Sequence, residues 1–149
     1  MTVDHRSPVD VFAVLRQDDQ VLLTRRAGDI PGTGQWALPS GRLEAGEDVV
    51  SAVRRELAEE LGIAVLEQDV TCFGVSHARP PDGHARLGLG FAISNWSGEL
   101  RIREPEKCSQ LQWHALVDLP EPTMGYTRIV LDLYRGTPVL VVRGWPRNR

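Results

Sequence analysis

The sequence predicts an α/β domain with a mixed central β-sheet, and two observations support this fold class. β-rich runs occur in pairs separated by short polar or Pro/Gly-rich segments, which is typical of hairpins and requires antiparallel neighbours. Two other segments carry apolar residues at helical spacing, and such helices pack against a sheet. The chain has 149 residues, of which 42% are hydrophobic. Residues 1–149 are therefore expected to form one globular domain.

The first predicted element is a hairpin. Its strands are the β-rich runs VDVFAVL (residues 9–15) and VLLTRRA (residues 21–27), which the polar segment RQDDQ joins. The GDIPGTGQ segment that follows is a loop by composition. Two adjacent arginines, Arg25 and Arg26, end the second strand, and alternation along a strand lets only one of them face a cleft.

A helix is predicted between Asp48, the expected N-cap residue, and Gly62, which supplies the C-terminal stop. With about 3.6 residues per turn, Glu56, Glu59 and Glu60 share one face of this helix. An apolar stripe lies roughly a third of the circumference away. Its members are Val50, Val53, Leu57 and Leu61. The helix is thus expected to bury one side and to present carboxylates on another.

The second half of the chain predicts three more strands and one more helix. Strands at residues 71–79 and 85–96 flank the turn PPDGH, and a third β-rich run spans residues 110–116. Residues 123–136 have apolar positions at helical spacing. A short final strand, PVLVV, spans residues 138–142.

The crowding of glutamates on the first helix needs a physical reason. Like charges three or four residues apart destabilise a helix by about 0.2–0.5 kcal/mol per pair. An acidic helix face is often simply solvated. A divalent cation offers an alternative, because Mg²⁺ takes oxygen ligands from a few carboxylates and completes its shell with substrate phosphates.

The residues around this acidic face reproduce a longer pattern, G-x5-E-x7-R-E-U-x-E-E-x-G-U, in which U is a bulky aliphatic residue. The residues that fit are Gly41, Glu47, Arg55, Glu56, Leu57, Glu59, Glu60, Gly62 and Ile63. Residues 41–63 therefore resemble the Nudix box, the signature of the Nudix hydrolases. The resemblance, to small bacterial MutT-like Nudix proteins, covers most of residues 9–135.

This resemblance implies the Nudix fold, an α/β/α sandwich with a central mixed β-sheet. It also implies a hydrolase that cleaves a nucleoside diphosphate linked to another group, with Mg²⁺ or Mn²⁺ as cofactor. The implied metal ligands are the carboxylates of Glu56, Glu59 and Glu60 and the backbone carbonyl of Gly41. Arg55 is expected to orient a neighbouring carboxylate through a bidentate contact, and Glu47 is expected to tie the loop to the helix.

Hydrolysis of a pyrophosphate requires neutralised phosphate oxygens and a water delivered in line with the leaving group. A carboxylate must accept the proton of that water, and Glu56 or Glu59 is the expected base. The family resemblance implies that a further acidic ligand can come from outside the box. The candidates in the REPEKC segment are Glu104 and Glu106, and the distance to Trp113 along the chain favours Glu106.

Contacts to phosphate beyond the metal should come from cationic side chains. Arg25, Arg26 and Lys107 are the candidates. A nucleobase would need an aromatic ring near the cleft, and Trp36 or Phe73 could supply one. Core packing is the favoured role for both rings.

Composition excludes several other classes of protein. The formal charge of −3 argues against a stable complex with nucleic acid. A membrane span would need about 18 consecutive apolar residues, which the chain lacks, so a cytoplasmic protein is expected. The two cysteines form no CxxC pair and are expected to be buried, reduced thiols.

The expected substrate is a nucleoside triphosphate or a small nucleotide derivative. A prenyl diphosphate or another non-nucleotide diphosphate is the alternative within the enzyme class. A Nudix module that senses a nucleotide without cleaving it, and a purely structural domain, are alternatives from other classes. Homodimers are common in the family, and the sequence carries no feature that decides the oligomeric state.

Overall fold

The computed structural model describes residues 2–81, 83–136 and 139–146. Within these ranges the strands are β1 (Val9–Gln17), β2 (Gln20–Arg26), β3 (Trp36–Ala37), β4 (Ser40–Arg42), β5 (Val70–Ala78), β6 (Arg86–Ile93), β7 (Cys108–Ala115) and β8 (Leu140–Arg143). The helices are α1 (Val49–Leu61) and α2 (Gly125–Tyr134), and a short 3₁₀ turn spans Glu67–Asp69.

The strands form one mixed sheet. Its main order is β3-β2-β1-β6-β5-β8, with β4 paired to β1 and β7 paired to β2. β1 runs parallel to β6, and β5 runs parallel to β8. The hairpin pairs β1–β2 and β5–β6 are antiparallel. The predicted mixed sheet is therefore confirmed.

The helices cover opposite faces of the sheet, because alternate residues of β1 enter two separate cores. Val11 packs in one core with Leu57 of α1. Phe12 points the other way and packs in the second core with Leu131 of α2. Since successive side chains of a strand point to opposite faces, α1 and α2 must lie on the two sides. The α/β/α sandwich is confirmed.

Both predicted hairpins form. The first closes with Gln17 opposite Gln20, in the polar segment that predicted the turn. The second joins β5 to β6, and Asp82 of its predicted turn lies outside the described residues. Thr137 and Pro138 are also outside them, so the predicted last strand is described only from Leu140 onward.

The second helix is shorter than the predicted residues 123–136, because it begins at Gly125 and ends at Tyr134. Before it, the backbone pairs with Trp36: the Met124 N–H donates to the Trp36 carbonyl, and the Trp36 N–H donates to the Pro122 carbonyl, both at 2.9 Å. These bonds keep the preceding residues outside the helix. No helix of the described ranges is both long and apolar enough to cross a membrane.

The cysteines depart from expectation. Both are free, as predicted, but neither is fully buried. Cys72 is exposed near the start of β5, whose first residues are largely open to solvent. Cys108 is half-buried because it lines a cleft instead of a core.

Candidate active site

The position of the acidic helix is set by caps at both ends. The Oδ1 atom of Asp48 accepts a hydrogen bond from the Ser51 N–H at 2.9 Å, which satisfies a free donor of the first turn. Gly62 ends the helix with φ 72° and ψ 22°, and its N–H donates to the Ala58 carbonyl at 3.1 Å. Glycine adopts this left-handed conformation without the penalty of a Cβ atom. The caps fix where α1 begins and ends, and the buried side chains of Val53, Leu57 and Leu61 fix which face meets the sheet.

The acidic face of α1 lies directly against β4. A Cβ atom built on Gly41 would overlap the carboxyl group of Glu56. The Glu56 side chain is only 15% exposed, because it fills this gap. Gly41 thus permits a carboxylate and a backbone strand to approach more closely than any other residue would allow.

Arg55 holds the carboxylates of the loop and the helix together. Its Nε and Nη2 atoms donate to the two carboxylate oxygens of Glu47 at 2.9 and 2.7 Å. Its Nη1 atom donates to Glu56 Oε1 at 2.9 Å and to Glu59 Oε2 at 3.3 Å. A second bond from Nη2 reaches the Arg42 carbonyl at 3.1 Å. One guanidinium therefore ties the loop before the helix to the acidic face, as the family resemblance implies.

Glu60 carries the most perturbed carboxyl group of the site. Burial raises its pKa well above the ordinary value, and the negative charges of Glu56 and Glu104 act in the same direction. A hydrogen bond from the Ser40 backbone opposes this shift. Burial also raises the pKa of Glu56, against the lowering effect of Arg55. The fold has brought acidic groups together without enough positive charge to neutralise them.

Such a site suits a hard divalent cation. Its donors are carboxylate oxygens, which Mg²⁺ and Mn²⁺ prefer as ligands. A bound cation would also neutralise the excess negative charge of these carboxylates. In the described residues, no three Asp, Glu, His or Cys side chains already converge on a single point for an ion. Glu59 is 54% exposed and turned toward Arg55. For Glu59 to serve as one of the ligands, its carboxylate would have to rotate away from the guanidinium of Arg55.

A cleft with a volume of about 200 Å³ opens beside Glu60. The charged residues that line it are Arg26, Glu60, Glu104 and Lys107. Ile30, Leu38 and Leu61 supply apolar surface, and Cys108 completes one side. The sequence patterns did not single out Ile30 or Leu38, because only tertiary packing brings these two residues to the cleft.

Only one of the two predicted strand arginines faces this cleft. Arg26 lines it, and its Nε donates to the Pro31 carbonyl at 2.7 Å. Burial lowers the pKa of Arg26, and the charge of Glu60 raises it in part. Arg25 lies on the other face of the sheet, with its guanidinium carbon 6.0 Å from the centroid of the Trp36 ring. The alternation expected from a strand separates the two side chains.

The structure brings Glu104, and not Glu106, to the cleft. Glu104 lines it next to Lys107, whereas Glu106 is exposed and outside it. The physical reason is a tight turn, in which the N–H groups of Lys107 and Cys108 both donate to the Glu104 carbonyl at 2.9 and 3.0 Å. The turn reverses the chain, so distance along the sequence from Trp113 was a poor guide to position.

The two candidate stacking rings lie in the core on the α2 side. Trp36 is only 6% exposed and meets the His114 ring edge-on, with 4.7 Å between the centroids. Phe73 packs against Tyr134 at 5.2 Å and fills the space above Gly90. Neither ring lines the cleft, which agrees with the favoured core role.

Known proteins resemble this chain in sequence and in fold. A profile of the NUDIX domain family matches residues 4–134. An ADP-ribose pyrophosphatase from Methanocaldococcus jannaschii is 31% identical over 127 residues, which are 85% of this chain and 73% of that protein. An 8-oxo-dGTP diphosphatase from Escherichia coli is 31% identical over 111 residues, or 74% of this chain and 81% of that protein.

A similar solved structure is the crystal structure of a MutT NUDIX hydrolase from Burkholderia pseudomallei. It is 35% identical and superposes with a TM-score of 0.79, covering 87% of this chain and 98% of that one. The NUDIX domain of Shewanella oneidensis NrtR, solved with ADP ribose, superposes with a TM-score of 0.71 at 21% identity. The second likeness concerns the fold alone.

Proposed function

This chain belongs to the Nudix hydrolase family and is an enzyme that hydrolyses phosphoanhydride bonds, and we propose that it needs Mg²⁺ or Mn²⁺ to cleave a nucleoside triphosphate or a small nucleotide derivative. The observation that carries the proposal is the contact of Glu56 with Gly41 beside a cleft that holds Glu60, Arg26 and Lys107. Acidic oxygens for a cation and cationic groups for phosphate adjoin one another there.

The relatives support a nucleotide derivative as the substrate. Their names specify an ADP-ribose pyrophosphatase, an 8-oxo-dGTP diphosphatase and an NAD-capped RNA hydrolase. All three substrates contain a nucleoside attached to a diphosphate. The diphosphate is the feature that these substrates share, so we assign it to the cation on the acidic face of α1 and to Arg26 and Lys107 in the cleft. The group attached to the diphosphate would lie in the rest of the pocket.

The residues of this chain have distinct parts in the proposed reaction. A divalent cation, when bound, neutralises phosphate oxygens and activates water. Glu56 and Glu60, with the Gly41 carbonyl, would hold it. Arg26 and Lys107 would contact phosphate oxygens and stabilise the negative charge that grows as the bond to the leaving group breaks.

The proton of the attacking water needs a carboxylate acceptor, and the two candidates are Glu56 and Glu59. Glu56 is nearly enclosed, with 15% of its side chain exposed, whereas Glu59 is 54% exposed. We assign the base to Glu59, because an exposed carboxylate can rotate toward a water and pass the proton on to solvent. Arg55, which contacts both, is the positioning residue.

The test is a panel of canonical and oxidised nucleoside triphosphates, ADP-ribose, dinucleoside polyphosphates and prenyl diphosphates, each assayed with Mg²⁺, Mn²⁺ or EDTA. Wild type is compared with Glu59→Gln and with Glu67→Gln, which removes an exposed carboxylate from the 3₁₀ turn. We expect metal-dependent cleavage that collapses only in Glu59→Gln. Cleavage that persists in EDTA would refute the metal requirement.

A non-nucleotide diphosphate is the second candidate, because the cleft carries Ile30, Leu38 and Leu61 beside its charged groups. Aliphatic side chains would suit a prenyl tail. Preferential cleavage of the prenyl diphosphates would favour this candidate over nucleotides. Metal-dependent binding of nucleotides without cleavage of any compound would instead favour a sensing module.

A further inference from the structure

We propose that Lys107 changes partner when the site is loaded: it pairs with Glu104 in the free protein and passes to a substrate phosphate once a divalent cation engages Glu104. This inference rests on the proposed function. It adds that the cation engages Glu104 before Lys107 contacts the substrate phosphate. It takes Glu104, which lines the cleft, as the acidic group outside the Nudix box that the family resemblance implies.

The backbone of the turn sets up the exchange. The N–H groups of Lys107 and Cys108 both donate to the Glu104 carbonyl, at 2.9 and 3.0 Å. The Ala27 N–H donates to the Lys107 carbonyl at 2.8 Å, which anchors the turn to the end of β2. The backbone is therefore held from two sides, and Glu104 and Lys107 both line the cleft. Only side-chain rotation is needed for a change of partner.

The existing pair is loose enough to be exchanged. Lys107 Nζ lies 3.6 Å from Glu104 Oε2, and the two side chains are 59% and 31% exposed. An exposed ion pair at this distance contributes little, because solvent screens it and two flexible side chains must be ordered. A cation or a phosphate with several oxygen contacts competes with it easily.

The surroundings give each side chain a second attraction. Glu104 and Glu60 both line the cleft, so a cation between these two carboxylates would relieve the repulsion between them. Lys107 shares the cleft with Arg26. A phosphate bound between these two cations would relieve the repulsion between their positive charges. In the free protein, the ion pair gives Glu104 and Lys107 each a partner of opposite charge. Binding of the cation and the substrate would replace that pair.

This arrangement predicts effects of opposite sign from one substitution. Lys107→Met removes a competitor for Glu104, so the cation should bind more tightly. The same change removes a phosphate contact, so a diphosphate should bind less tightly. A lysine that served only the structure of the loop would weaken both, or neither.

The experiment measures Ca²⁺ binding by calorimetry, and then binding of methylenediphosphonate at saturating Ca²⁺, so that no step depends on turnover. We expect Lys107→Met to lower the Ca²⁺ dissociation constant about threefold. We expect it to raise that of methylenediphosphonate about tenfold. Lys107→Arg should stay close to wild type in both, and thermal unfolding checks that each variant folds.

A double-mutant cycle separates a direct exchange from a general effect of charge. In a Glu104→Gln background, Lys107→Met should leave Ca²⁺ affinity unchanged, because the shared partner is gone. Arg101→Met removes a positive charge from the same segment outside the cleft, and it should change neither affinity. An equal gain in Ca²⁺ affinity in both backgrounds, or the same gain from Arg101→Met, would overturn the exchange.

Failure of this inference is distinguishable from failure of the proposed function. Metal-dependent hydrolysis by wild type, together with Ca²⁺ binding that Lys107→Met does not alter, would reject the exchange and keep the function. A wild-type protein that neither binds Ca²⁺ nor hydrolyses any diphosphate with Mg²⁺ or Mn²⁺ would reject both.

Discussion

The carboxyl group of Glu56 occupies the space that a side chain on Gly41 would need. This contact joins the acidic face of α1 to the backbone of β4, and it explains why a glycine stands at the first position of the box. The strand also lies in the sheet, since Gly41 pairs with Val11 of β1. The carboxylate of Glu56 therefore lies against the backbone of a strand that the sheet holds in place.

Gly41→Ala should disable the enzyme with little loss of fold. The new methyl group must displace Glu56, and a shift of about 1 Å in a catalytic group costs roughly 100-fold in rate. We expect kcat/KM with Mg²⁺ to fall by about that factor. Gly125→Ala is the matched control, because a Cβ atom there meets nothing within 4 Å. Equal activity of the two variants would disprove the close contact.

Arg55→Lys should lower activity although it preserves the charge. A lysine cannot contact Glu47 through two bonds and also reach Glu56, because its ammonium is a single point of charge. We expect kcat/KM to fall about 10- to 100-fold, as for other groups that orient metal ligands. Arg54→Lys, the same change at the neighbouring residue, should have a much smaller effect. Comparable losses in both would argue against a positioning role for Arg55.

Glu60→Gln should change how stability depends on pH in EDTA. The folded protein raises the pKa of Glu60, so above pH 4.5 it retains a proton that the unfolded chain releases. The contribution of Glu60 to the free energy of unfolding must therefore fall as pH rises, until the pH exceeds the folded pKa. Glutamine does not titrate.

Urea unfolding at pH 5 and pH 8 checks this prediction. Relative to Glu60→Gln, wild type should lose stability between the two pH values. Mg²⁺ should restore stability in wild type more than in the variant, because a bound ligand stabilises the folded state. Glu67→Gln should follow the wild-type pH dependence. A pH-independent difference between wild type and Glu60→Gln would contradict the prediction.

Arg26→Met and Arg25→Met should differ, because only Arg26 lines the cleft. Loss of a charge-assisted phosphate contact should reduce kcat/KM about tenfold in Arg26→Met. Arg25→Met removes a cation that rests on Trp36 and should mainly reduce stability. Steady-state kinetics on the best substrate of the panel gives the comparison, and a larger kinetic loss in Arg25→Met would reverse the assignment.

Asp48→Ala tests whether stability and activity separate. Loss of the N-cap bond to Ser51 should cost about 1 kcal/mol, which lowers Tm by roughly 2–4 °C in a domain of this size. Below that temperature kcat/KM should change little, because Asp48 contacts no residue of the cleft. Asp48→Asn keeps the cap and should retain wild-type Tm. A large kinetic defect at full folding would mean that the cap also positions the acidic face.

Some of these features follow from short stretches of sequence. The helix from Asp48 to Gly62 was predictable because its caps, its apolar stripe and its acidic face all lie within one segment, where helix geometry relates them. The two hairpins were predictable for a similar reason, since the turn signals lie between the strands that they join. Local interactions suffice for each of these elements.

Other features depend on contacts between distant segments. The parallel pairing of β1 with β6 joins residues more than 70 positions apart, and no local pattern specifies it. The site depends on such packing, because Arg26, Glu60, Glu104 and Lys107 come to line one cleft only after the sheet and the loops have packed. Glu104 lines the cleft, whereas Glu106, the residue preferred from the sequence, is exposed outside it.

The sequence by itself determined the family, the acidic face of α1 and the kind of chemistry, because these properties reside in residue types at fixed spacings along one helix. Tertiary structure alone decided which of Arg25 and Arg26, and which of Glu104 and Glu106, reaches the cleft. On a strand, a difference of one position reverses the direction of a side chain, and in the turn of residues 104–108 a difference of two positions separates Glu104 from Glu106. Packing across the sheet, and not local spacing, sets that direction.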